Sequence, residues 1–265
     1  MNHTNKNIAI AVVCYSNLRQ QQAKEFCHAN RLPLLKAGSD HHDQQLLFHD
    51  DLIELYDRQL NTAISVDFIK GTLAHRQQYG GGRGQALAKA TGLKSGVTPT
   101  VLDTTAGMAG DAFVLATLGC PVTMIERSPV VYCLIENAIE RASLHDSFQT
   151  ILQQGFQAVN CDANDYIKQQ LSGNEPAPDV IYLDPMYPER KKSALVKKDM
   201  QILQRLHGIE EDSADLLETA LLFADRRVVV KRPLHAGTIS DRKPDTCVKS
   251  KKTRFDIYTI KKMSG

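Results

Sequence analysis

The chain has 265 residues, of which 42% are hydrophobic and 23% charged, so it can bury one sizeable core and a small appended domain. This composition excludes a disordered or fibrous protein. The 32 Lys and Arg against 30 Asp and Glu give a formal net charge of +2. Any nucleic-acid site must therefore come from local clusters of basic residues and not from the charge of the whole chain.

The cysteines and the apolar runs indicate the compartment. The six cysteines form no C-x-x-C pair and no zinc-type spacing with histidine, which predicts free thiols in a reducing cytoplasm and no metal site. The most apolar N-terminal stretch, residues 8–14, lacks the features of a signal peptide and predicts a buried strand. No apolar run approaches the roughly 18 residues of a membrane span, so we expect a cytoplasmic protein without a membrane partner.

Residues 1–75 are predicted to form a small N-terminal α/β domain. The expected elements are a strand over 8–14, a helix over 18–29 and strands over 45–48, 52–56 and 63–69. Residues 76–99 follow as a Gly-rich connecting loop and a helix. The glycines within residues 80–85, together with Arg83, suit a flexible linker or a loop that closes over a phosphate-bearing ligand or RNA, and the sequence leaves these open.

From residue 100 to residue 265 strands alternate with helices, which is the pattern of a parallel sheet covered on both faces. The predicted strands are 100–103, 122–126, 156–160, 180–184, 227–231 and 255–260. The predicted helices are 111–118, one that starts at Pro129 with Ser128 as its cap, 165–171, 195–206 and 214–224. A Rossmann-like, doubly wound sheet is the expected fold.

A turn of small residues follows the first strand of this sheet. Asp103 ends the strand, and Gly107 and Gly110 lie in the turn that leads into the next helix. Such a turn lets a ligand approach the backbone amides at a helix N-terminus. A carboxylate at Asp103 repels the pyrophosphate of a nicotinamide cofactor but attracts the ammonium and sulfonium groups of S-adenosylmethionine. The turn therefore favours S-adenosylmethionine as the cofactor.

Three further acids stand where later strands end. Glu126 can accept both hydroxyls of a ribose, Asp162 lies where it can meet an adenine amino group, and Asp184 ends the fourth strand. The carboxyl ends of parallel strands meet at one edge of a sheet, where open α/β folds bind ligands. One such acid alone is more often a turn former or a helix cap. Four in succession after a Gly-containing turn favour a cofactor site.

The segment Asp184-Pro185-Met186-Tyr187-Pro188 directly follows an apolar strand. The exocyclic amine of a base is a poor nucleophile because its lone pair is delocalised into the ring. The Asp184 carboxylate and the Pro185 carbonyl can accept its two hydrogens while Tyr187 stacks on the base. The alternative is a proline-stiffened turn at a strand end. With the cofactor turn upstream, the segment indicates methyl transfer to a planar amine.

These motifs resemble those of the bacterial ribosomal RNA small subunit methyltransferase J family. The matching segments are residues 103–111, Glu126-Arg127, residues 184–188 with the lysine-rich run 191–198, and residues 228–233. The resemblance implies a class I S-adenosylmethionine-dependent methyltransferase fold and methyl transfer to N2 of a guanosine in 16S ribosomal RNA. It places the cofactor contacts on Gly110, Asp111, Glu126, Arg127, Asp162, Ala163 and Asp184.

Basic residues near these motifs are expected to contact the phosphates of the RNA or of the 30S subunit. The predicted RNA-binding set is Arg83, Lys191, Lys192, Lys197, Lys198, Lys231 and Arg232. A second basic cluster near the C-terminus consists of Lys249, Lys251, Lys252 and Arg254. That cluster either binds RNA or simply solvates a face.

Two alternative functions remain open at the level of sequence. The amine motif serves any planar amine, so adenine N6 or a protein amide is a rival substrate within the methyltransferases. From a different class, a chain with this fold can act as a non-catalytic RNA-binding factor in ribosome assembly.

Overall fold

Two β-sheets flanked by helices make up the fold. The structure, a computed structural model, describes residues 9–39, 42–70, 82–185, 198–207 and 213–263. The strands are β1 (Ile10–Cys14), β2 (Leu34–Leu35), β3 (Gln44–Phe48), β4 (Ile53–Asp57), β5 (Thr62–Ile64), β6 (Val101–Asp103), β7 (Val122–Glu126), β8 (Phe156–Asn160), β9 (Val180–Leu183), β10 (Arg227–Pro233), β11 (Thr246–Lys249) and β12 (Thr253–Thr259). The helices are α1 (Gln20–Asn30), α2 (Ala86–Thr91), α3 (Gly110–Thr117), α4 (Pro129–Ser143), α5 (Asp146–Gln153), α6 (Ala163–Gly173), α7 (Lys198–His207) and α8 (Ser213–Phe223). Among these helices, none combines the length and the hydrophobicity that crossing a bilayer requires.

The first sheet has five strands in the order β2-β1-β3-β4-β5. β1 is parallel to β2 and β3, whereas β4 is antiparallel to β3 and β5. α1 buries Ala23 and Cys27, and Ala23 and Cys27 belong to the same apolar cluster as Val12 of β1. This is the small α/β unit that the sequence predicts, although the strand expected over 63–69 is shorter and spans Thr62–Ile64.

The second sheet has seven strands in the order β11-β12-β10-β9-β6-β7-β8. The five strands from β10 to β8 are parallel, and β12 is antiparallel to both of its neighbours. The chain proceeds from β6 to one side through β7 and β8, and then to the other side through β9 and β10. This reversal between β6 and β9 opens a crevice at the carboxyl ends of the strands. The predicted doubly wound sheet is confirmed.

The start of α4 shows how local sequence sets an element boundary. The Ser128 hydroxyl accepts a hydrogen bond from the Val131 amide at 3.4 Å, and Pro129 is the first helical residue. A serine cap satisfies one of the amides that a helix start leaves unpaired, and proline lacks that amide. The predicted helix start is therefore confirmed.

Three elements carry too little sequence signal to be predicted: β2, α5 and β11. β2 has only two residues, and most residues of β11 are exposed at the edge of the sheet, so neither shows a buried alternation. α5 begins shortly after α4 ends, so the helical patterns of the two merge.

α2 covers one end of the second sheet. The Arg227 guanidinium of β10 donates to the Ala90 carbonyl of α2 at 3.1 Å. Gly92 ends the helix with a φ of 82°, and a Cβ at this position would lie 2.8 Å from the Met263 side chain. α2 is the helix expected within residues 76–99, and its end packs against the second sheet.

One apolar cluster runs across both sheets. Phe68, which follows β5, contacts the rings of Phe113, Phe148 and Phe156 at centroid distances of 4.8, 5.7 and 5.4 Å. Phe156 belongs to β8 of the second sheet, and the other two rings belong to the helices α3 and α5. The division of the chain at residues 75 and 99 stays a prediction, and the two sheets share a core across it.

Buried polar contacts attach α7 to the first sheet. The Gln44 amide nitrogen donates to Asp57 Oδ2 at 3.0 Å and to the Ile202 carbonyl of α7 at 3.1 Å. Arg205 Nε lies 2.9 Å from the same Asp57 oxygen. Gln44 and Asp57 are fully buried, so breaking this junction leaves polar groups without water or partners. The first sheet thereby fixes the helix that follows residues 184–188 along the chain.

We expect Phe68→Ala to lower the free energy of unfolding of the chain by about 3–5 kcal/mol, because the ring fills a core shared by both sheets. Chemical denaturation followed by circular dichroism measures the change. Leu144→Ala is the control, since Leu144 is 83% exposed, and we expect it to change the free energy by less than about 0.5 kcal/mol. Two separate unfolding transitions, with only one sensitive to Phe68→Ala, would contradict a shared core.

Candidate active site

The carboxyl ends of the parallel strands in the second sheet surround one cleft. Each of the nine cofactor residues predicted from the sequence lines it, and so do Pro185 and Lys231. The strand order explains this convergence, since all of these residues lie at or just after the carboxyl ends of β6 to β10.

The turn after β6 is shaped by two residues in the left-handed region. Gly107 has a φ of 52° and Ala109 a φ of 56°. Glycine adopts this conformation readily, whereas for alanine it is strained. Ala109 is fully buried, and its amide donates to the Ala106 carbonyl at 2.8 Å. The turn places the start of α3 at the cleft, beginning with Gly110. The backbone amides of the first turn of α3 have no acceptor within the helix.

Asp103 is a buried acid at the centre of the cleft. It is 2% exposed, and its Oδ1 accepts a hydrogen bond from the Thr105 amide at 3.0 Å. Burial raises the pKa of Asp103 to about 8; the Thr105 amide and Lys231 oppose the rise, while Asp111 and Asp184 add to it. At neutral pH the carboxyl therefore holds a proton that a cationic ligand can displace.

Lys231 joins two more acids of the cleft. Its ammonium donates to Asp111 Oδ2 at 2.8 Å and to Asp184 Oδ2 at 2.7 Å. Burial opposes the charged form of Lys231, but the Asp184 and Asp111 carboxylates outweigh it and raise the pKa of the lysine. The Tyr182 hydroxyl donates to Asp111 Oδ2 at 2.6 Å, and burial raises the pKa of Tyr182 well above its usual value. Lys231 thus stays charged and Tyr182 stays a donor.

Glu126 is held by backbone amides. Its Oε2 accepts a hydrogen bond from the Gly107 amide at 3.0 Å, and its Oε1 accepts one from the Ser128 amide at 2.8 Å. The Asn160 side chain donates to the Glu126 carbonyl at 2.7 Å. These bonds fix the carboxylate at the wall between the β6 turn and the end of β7.

Asp162 caps α6. Its Oδ1 accepts hydrogen bonds from the Asn164 amide at 2.8 Å and the Asp165 amide at 3.2 Å. The capping role that sequence reasoning left as an alternative is thus present. Asp162 and Ala163 also line the cleft, and their contact with an adenine stays a prediction.

The end of β9 is tied to the β6 turn. The Asp184 amide donates to the Thr105 hydroxyl at 2.6 Å, and the Thr104 hydroxyl donates to the Tyr182 carbonyl at 3.0 Å. Asp184 and Pro185 therefore enter the cleft from a fixed backbone. Tyr187 lies outside the described residues.

Three residues predicted to bind RNA contact the protein itself. Lys231 bridges two acids of the cleft, and Lys198 donates to the Thr62 hydroxyl of the first sheet at 2.9 Å. Arg232 is 5% exposed and donates to the Gly237 carbonyl at 3.0 Å. Sequence reveals the charge of such residues but not the acceptors that the fold brings to them. Contact of these three with RNA stays a prediction.

Arg83 lies away from the cleft. Its guanidinium donates to the Lys94 carbonyl at 2.9 Å and to the Leu118 carbonyl at 3.5 Å. Lys94 precedes β6 and Leu118 precedes β7, so Arg83 is at the opposite edge of the sheet. The structure thus places Arg83 away from the cleft, and its contact with RNA or with a phosphate-bearing ligand stays a prediction. Three members of the predicted set lie outside the described residues: Lys191, Lys192 and Lys197.

Sequence reasoning did not assign Tyr182 and Thr105 to the site. Tyr182 belongs to an apolar strand, where an aromatic ring is expected in the core, and only the strand pairing brings its hydroxyl to Asp111. In the described part of the chain, no group of His, Cys, Asp and Glu side chains has the arrangement of a metal site.

Known proteins with similar sequences are methyltransferases, as the residues that line the cleft predict. A family model described as a putative SAM-dependent methyltransferase matches residues 28–260. The protein named ribosomal RNA small subunit methyltransferase J from Shewanella amazonensis is 49% identical over 222 residues, which is 83% of this chain and 88% of that protein. The protein of the same name from Psychromonas ingrahamii is 44% identical over 254 residues, 96% of this chain and 97% of that protein.

The chain belongs to the ribosomal RNA small subunit methyltransferase J family. The crystal structure of a SAM-dependent methyltransferase from Neisseria gonorrhoeae superposes with a TM-score of 0.72 at 30% identity, covering 94% of this chain and 95% of that one. The family, the fold class and the enzyme class predicted from the sequence are confirmed.

The cofactor of this methyltransferase is S-adenosylmethionine. The cleft fits that molecule. Asp103, a buried acid with a raised pKa, can pair with a positive group, and the N-terminus of α3 can bind a negative one. S-adenosylmethionine carries an ammonium, a sulfonium and a carboxylate on one short chain.

We expect Asp103→Asn to remove a pH-dependent loss of stability from the protein without cofactor. In the unfolded chain an aspartate ionises near pH 4, but in the fold its pKa is about 8. Stability supplied by the protonated form is therefore lost as pH rises from about 4 to 8. Thermal unfolding from pH 4 to 9 should show that the advantage of the variant over the wild type grows with pH and levels off above about 8.

The control is Asp241→Asn, because Asp241 is exposed. A difference for Asp103→Asn that stays constant from pH 4 to 9, or that Asp241→Asn reproduces, would contradict the raised pKa of Asp103.

Proposed function

We propose that this protein transfers a methyl group from S-adenosylmethionine to the N2 amine of a guanosine in 16S ribosomal RNA of the small subunit. The observation that carries the proposal is the position of Asp184 and Pro185 at the end of β9, beside the cofactor cleft and fixed to the β6 turn. The names of the relatives supply the substrate class.

In this proposal the cofactor is held by groups of opposite character. The Asp103 carboxylate pairs with the cofactor's ammonium, and the amides of Gly110 and Asp111 at the start of α3 bind its carboxylate. Glu126 accepts the ribose hydroxyls. The remaining contacts, from the β6 turn and around the ribose and the adenine, come from Gly107, Arg127, Asp162 and Ala163. Bound there, S-adenosylmethionine supplies a methyl group on a positively charged sulfur, which a nitrogen lone pair can attack directly.

The target amine is activated by acceptors and not by a strong base. One Asp184 carboxylate oxygen and the Pro185 carbonyl accept the two amine hydrogens, which draws the nitrogen lone pair out of conjugation with the ring. Tyr187 stacks on the guanine, and this nucleotide flips out of its RNA helix to reach the cleft. The proton passes to Asp184 or to water after the nitrogen has gained the methyl group.

The cytoplasm is the proposed site of the reaction, because small ribosomal subunits are assembled there in bacteria. The six cysteines, all unpaired in the structure, are compatible with its reducing conditions.

The direct test is incubation of the protein with methyl-labelled S-adenosylmethionine and 30S subunits from cells that lack the gene, followed by digestion of the RNA to nucleosides. We expect the label in N2-methylguanosine. Label in methyladenosine would contradict the base assignment, and label in protein would contradict RNA as the substrate. Cofactor binding with no transfer to any component would favour the non-catalytic assembly factor.

In the same assay we expect Asp184→Ala to reduce transfer by at least about 100-fold, because one acceptor for the amine is lost. Asp184→Asn keeps an acceptor oxygen without charge and should fall between this variant and the wild type. Asp146→Ala, in an exposed position of α5, is the control for removal of a carboxylate. Unchanged turnover in Asp184→Ala, with folding confirmed by circular dichroism, would contradict the role of Asp184.

We propose that the RNA backbone lies across the β11–β12 end of the sheet. The turn between these strands is at the same edge as the cleft, because Lys249 pairs with Arg254 and Pro233 pairs with Thr253. Lys249, Lys251 and Lys252 are exposed there. Neighbouring strands lie ~4.8 Å apart and a strand rises ~3.3 Å per residue, so the backbone of this lysine turn is roughly 15 Å from that of Asp184, within reach of the nucleotides that flank the target.

We expect the triple variant Lys249→Gln, Lys251→Gln and Lys252→Gln to bind the subunit less tightly. Each lost phosphate contact should make the slope of log affinity against log salt concentration less negative by ~0.7–0.9. Binding titrations at several salt concentrations measure the slope. The control is Lys261→Gln with Lys262→Gln, two exposed lysines beyond the end of β12 at the opposite edge. An equal effect from both variants would contradict a phosphate-binding role for the β11–β12 turn.

A further inference from the structure

The environment of Lys231 differs from that of a phosphate-binding lysine. Its side chain is 25% exposed, and its ammonium lies within hydrogen-bond distance of two carboxylates, at 2.8 Å from Asp111 and 2.7 Å from Asp184. A lysine that binds RNA presents its charge to solvent until a phosphate arrives. The charge of Lys231 is instead paired with the Asp111 and Asp184 carboxylates inside the cleft.

The position of Lys231 follows from strand pairing. Val230 of β10 pairs with Leu183 of β9, so Lys231 and Asp184 are the next residues on adjacent parallel strands. Side chains alternate between the faces of a sheet. Tyr182 therefore shares a face with Asp184, and Asp111 at the start of α3 covers that face.

We infer that Lys231 is a positioning residue for methyl transfer, which holds the Asp184 carboxylate in place as the acceptor for the target amine. This inference rests on the proposed function. The ammonium binds one oxygen of Asp184, Oδ2, and thereby sets which way the other oxygen faces. It also offsets the repulsion between Asp184 and Asp111, which would otherwise push the two carboxylates apart or bind a proton between them.

Tyr182 completes the arrangement from the other side. Its hydroxyl donates to the same Asp111 oxygen that accepts from Lys231. Asp111 is thus fixed by two donors, and Lys231 is fixed by two acceptors. All four side chains line the cleft. The Asp184 carboxylate is the one proposed to accept from the target amine, so a shift in any other member moves the acceptor. An acceptor displaced by about 1 Å can reduce turnover by ~100-fold.

The test compares Lys231→Met, which keeps the length of the side chain and removes the charge, with Lys231→Arg, which keeps the charge. With 30S subunits from cells that lack the gene, we expect Lys231→Met to reduce kcat by ~100-fold. We expect its KM for subunits to change by less than about threefold. The slope of log affinity against log salt concentration should match that of the wild type, because no phosphate contact is lost. Lys231→Arg should recover at least about tenfold of the lost kcat, because it keeps a cation next to Asp184.

A double variant separates positioning from a general loss of structure. If Lys231 acts through Asp184, then adding Lys231→Met to Asp184→Asn should reduce kcat by less than about threefold further. Lys261→Met is the matched control, since Lys261 also pairs with an aspartate, Asp225, but at the opposite edge of the sheet. Its kcat should equal that of the wild type. Binding of S-adenosylhomocysteine and the midpoint of thermal unfolding are measured for every variant to show that each is folded.

Three outcomes would overturn the inference. The first is an increase in KM with kcat unchanged in Lys231→Met, which would make Lys231 a phosphate contact. The second is an effect of Lys231→Met that is as large in the Asp184→Asn background as in the wild type. The third is a Lys231→Arg variant that folds and binds S-adenosylhomocysteine but is as slow as Lys231→Met. Failure of the wild type itself to label N2-methylguanosine would instead contradict the proposed function, and the inference would fall with it.

Discussion

The close approach of Asp103, Asp111 and Asp184 at one edge of the sheet is the constraint on which the site depends. Three carboxylates this close together, two of them buried, cannot all be ionised without compensation. The structure compensates in two ways. Lys231 bridges Asp111 and Asp184, and Asp103 keeps a proton because burial raises its pKa to about 8. What remains is a cleft that gains stability from an incoming cation, and the methyl donor is such a cation.

The rest of the fold keeps these acids in place. The Thr105 hydroxyl, in the turn after β6, accepts a hydrogen bond from the Asp184 amide. In the same turn the Gly107 amide donates to the Glu126 carboxylate. The first sheet contributes from a distance, because Gln44 and Asp57 hold α7, the helix that follows residues 184–188 in the chain. Two sheets with one shared core thus support one cleft, and the N-terminal sheet is part of that support and not an appendage.

Sequence reasoning succeeded where the local pattern alone determines the outcome. The alternation of strands and helices predicted the doubly wound sheet. The acids at strand ends, the turn after the first strand and the family resemblance predicted nine residues that line the cleft, and their contacts with the cofactor stay a prediction. It failed where the outcome depends on partners distant in the chain. Lys231 carries a positive charge in any reading of the sequence, but only the pairing of β9 with β10 shows that the charge is taken by Asp184. Arg83 looked like a ligand contact for the same reason, yet the fold places it at the opposite edge. Short edge elements such as β11 carry too few buried residues to show a pattern.

The most direct test of this account is the number of protons released when S-adenosylmethionine binds. Isothermal titration calorimetry at pH 6.5 in buffers of different ionisation enthalpy measures that number. Since the pKa of Asp103 is about 8 in the protein without cofactor, the account predicts release of close to one proton per cofactor bound, and none in Asp103→Asn. Binding of the cofactor by the wild type without proton release would contradict the claim that a buried, protonated acid receives its positive charge.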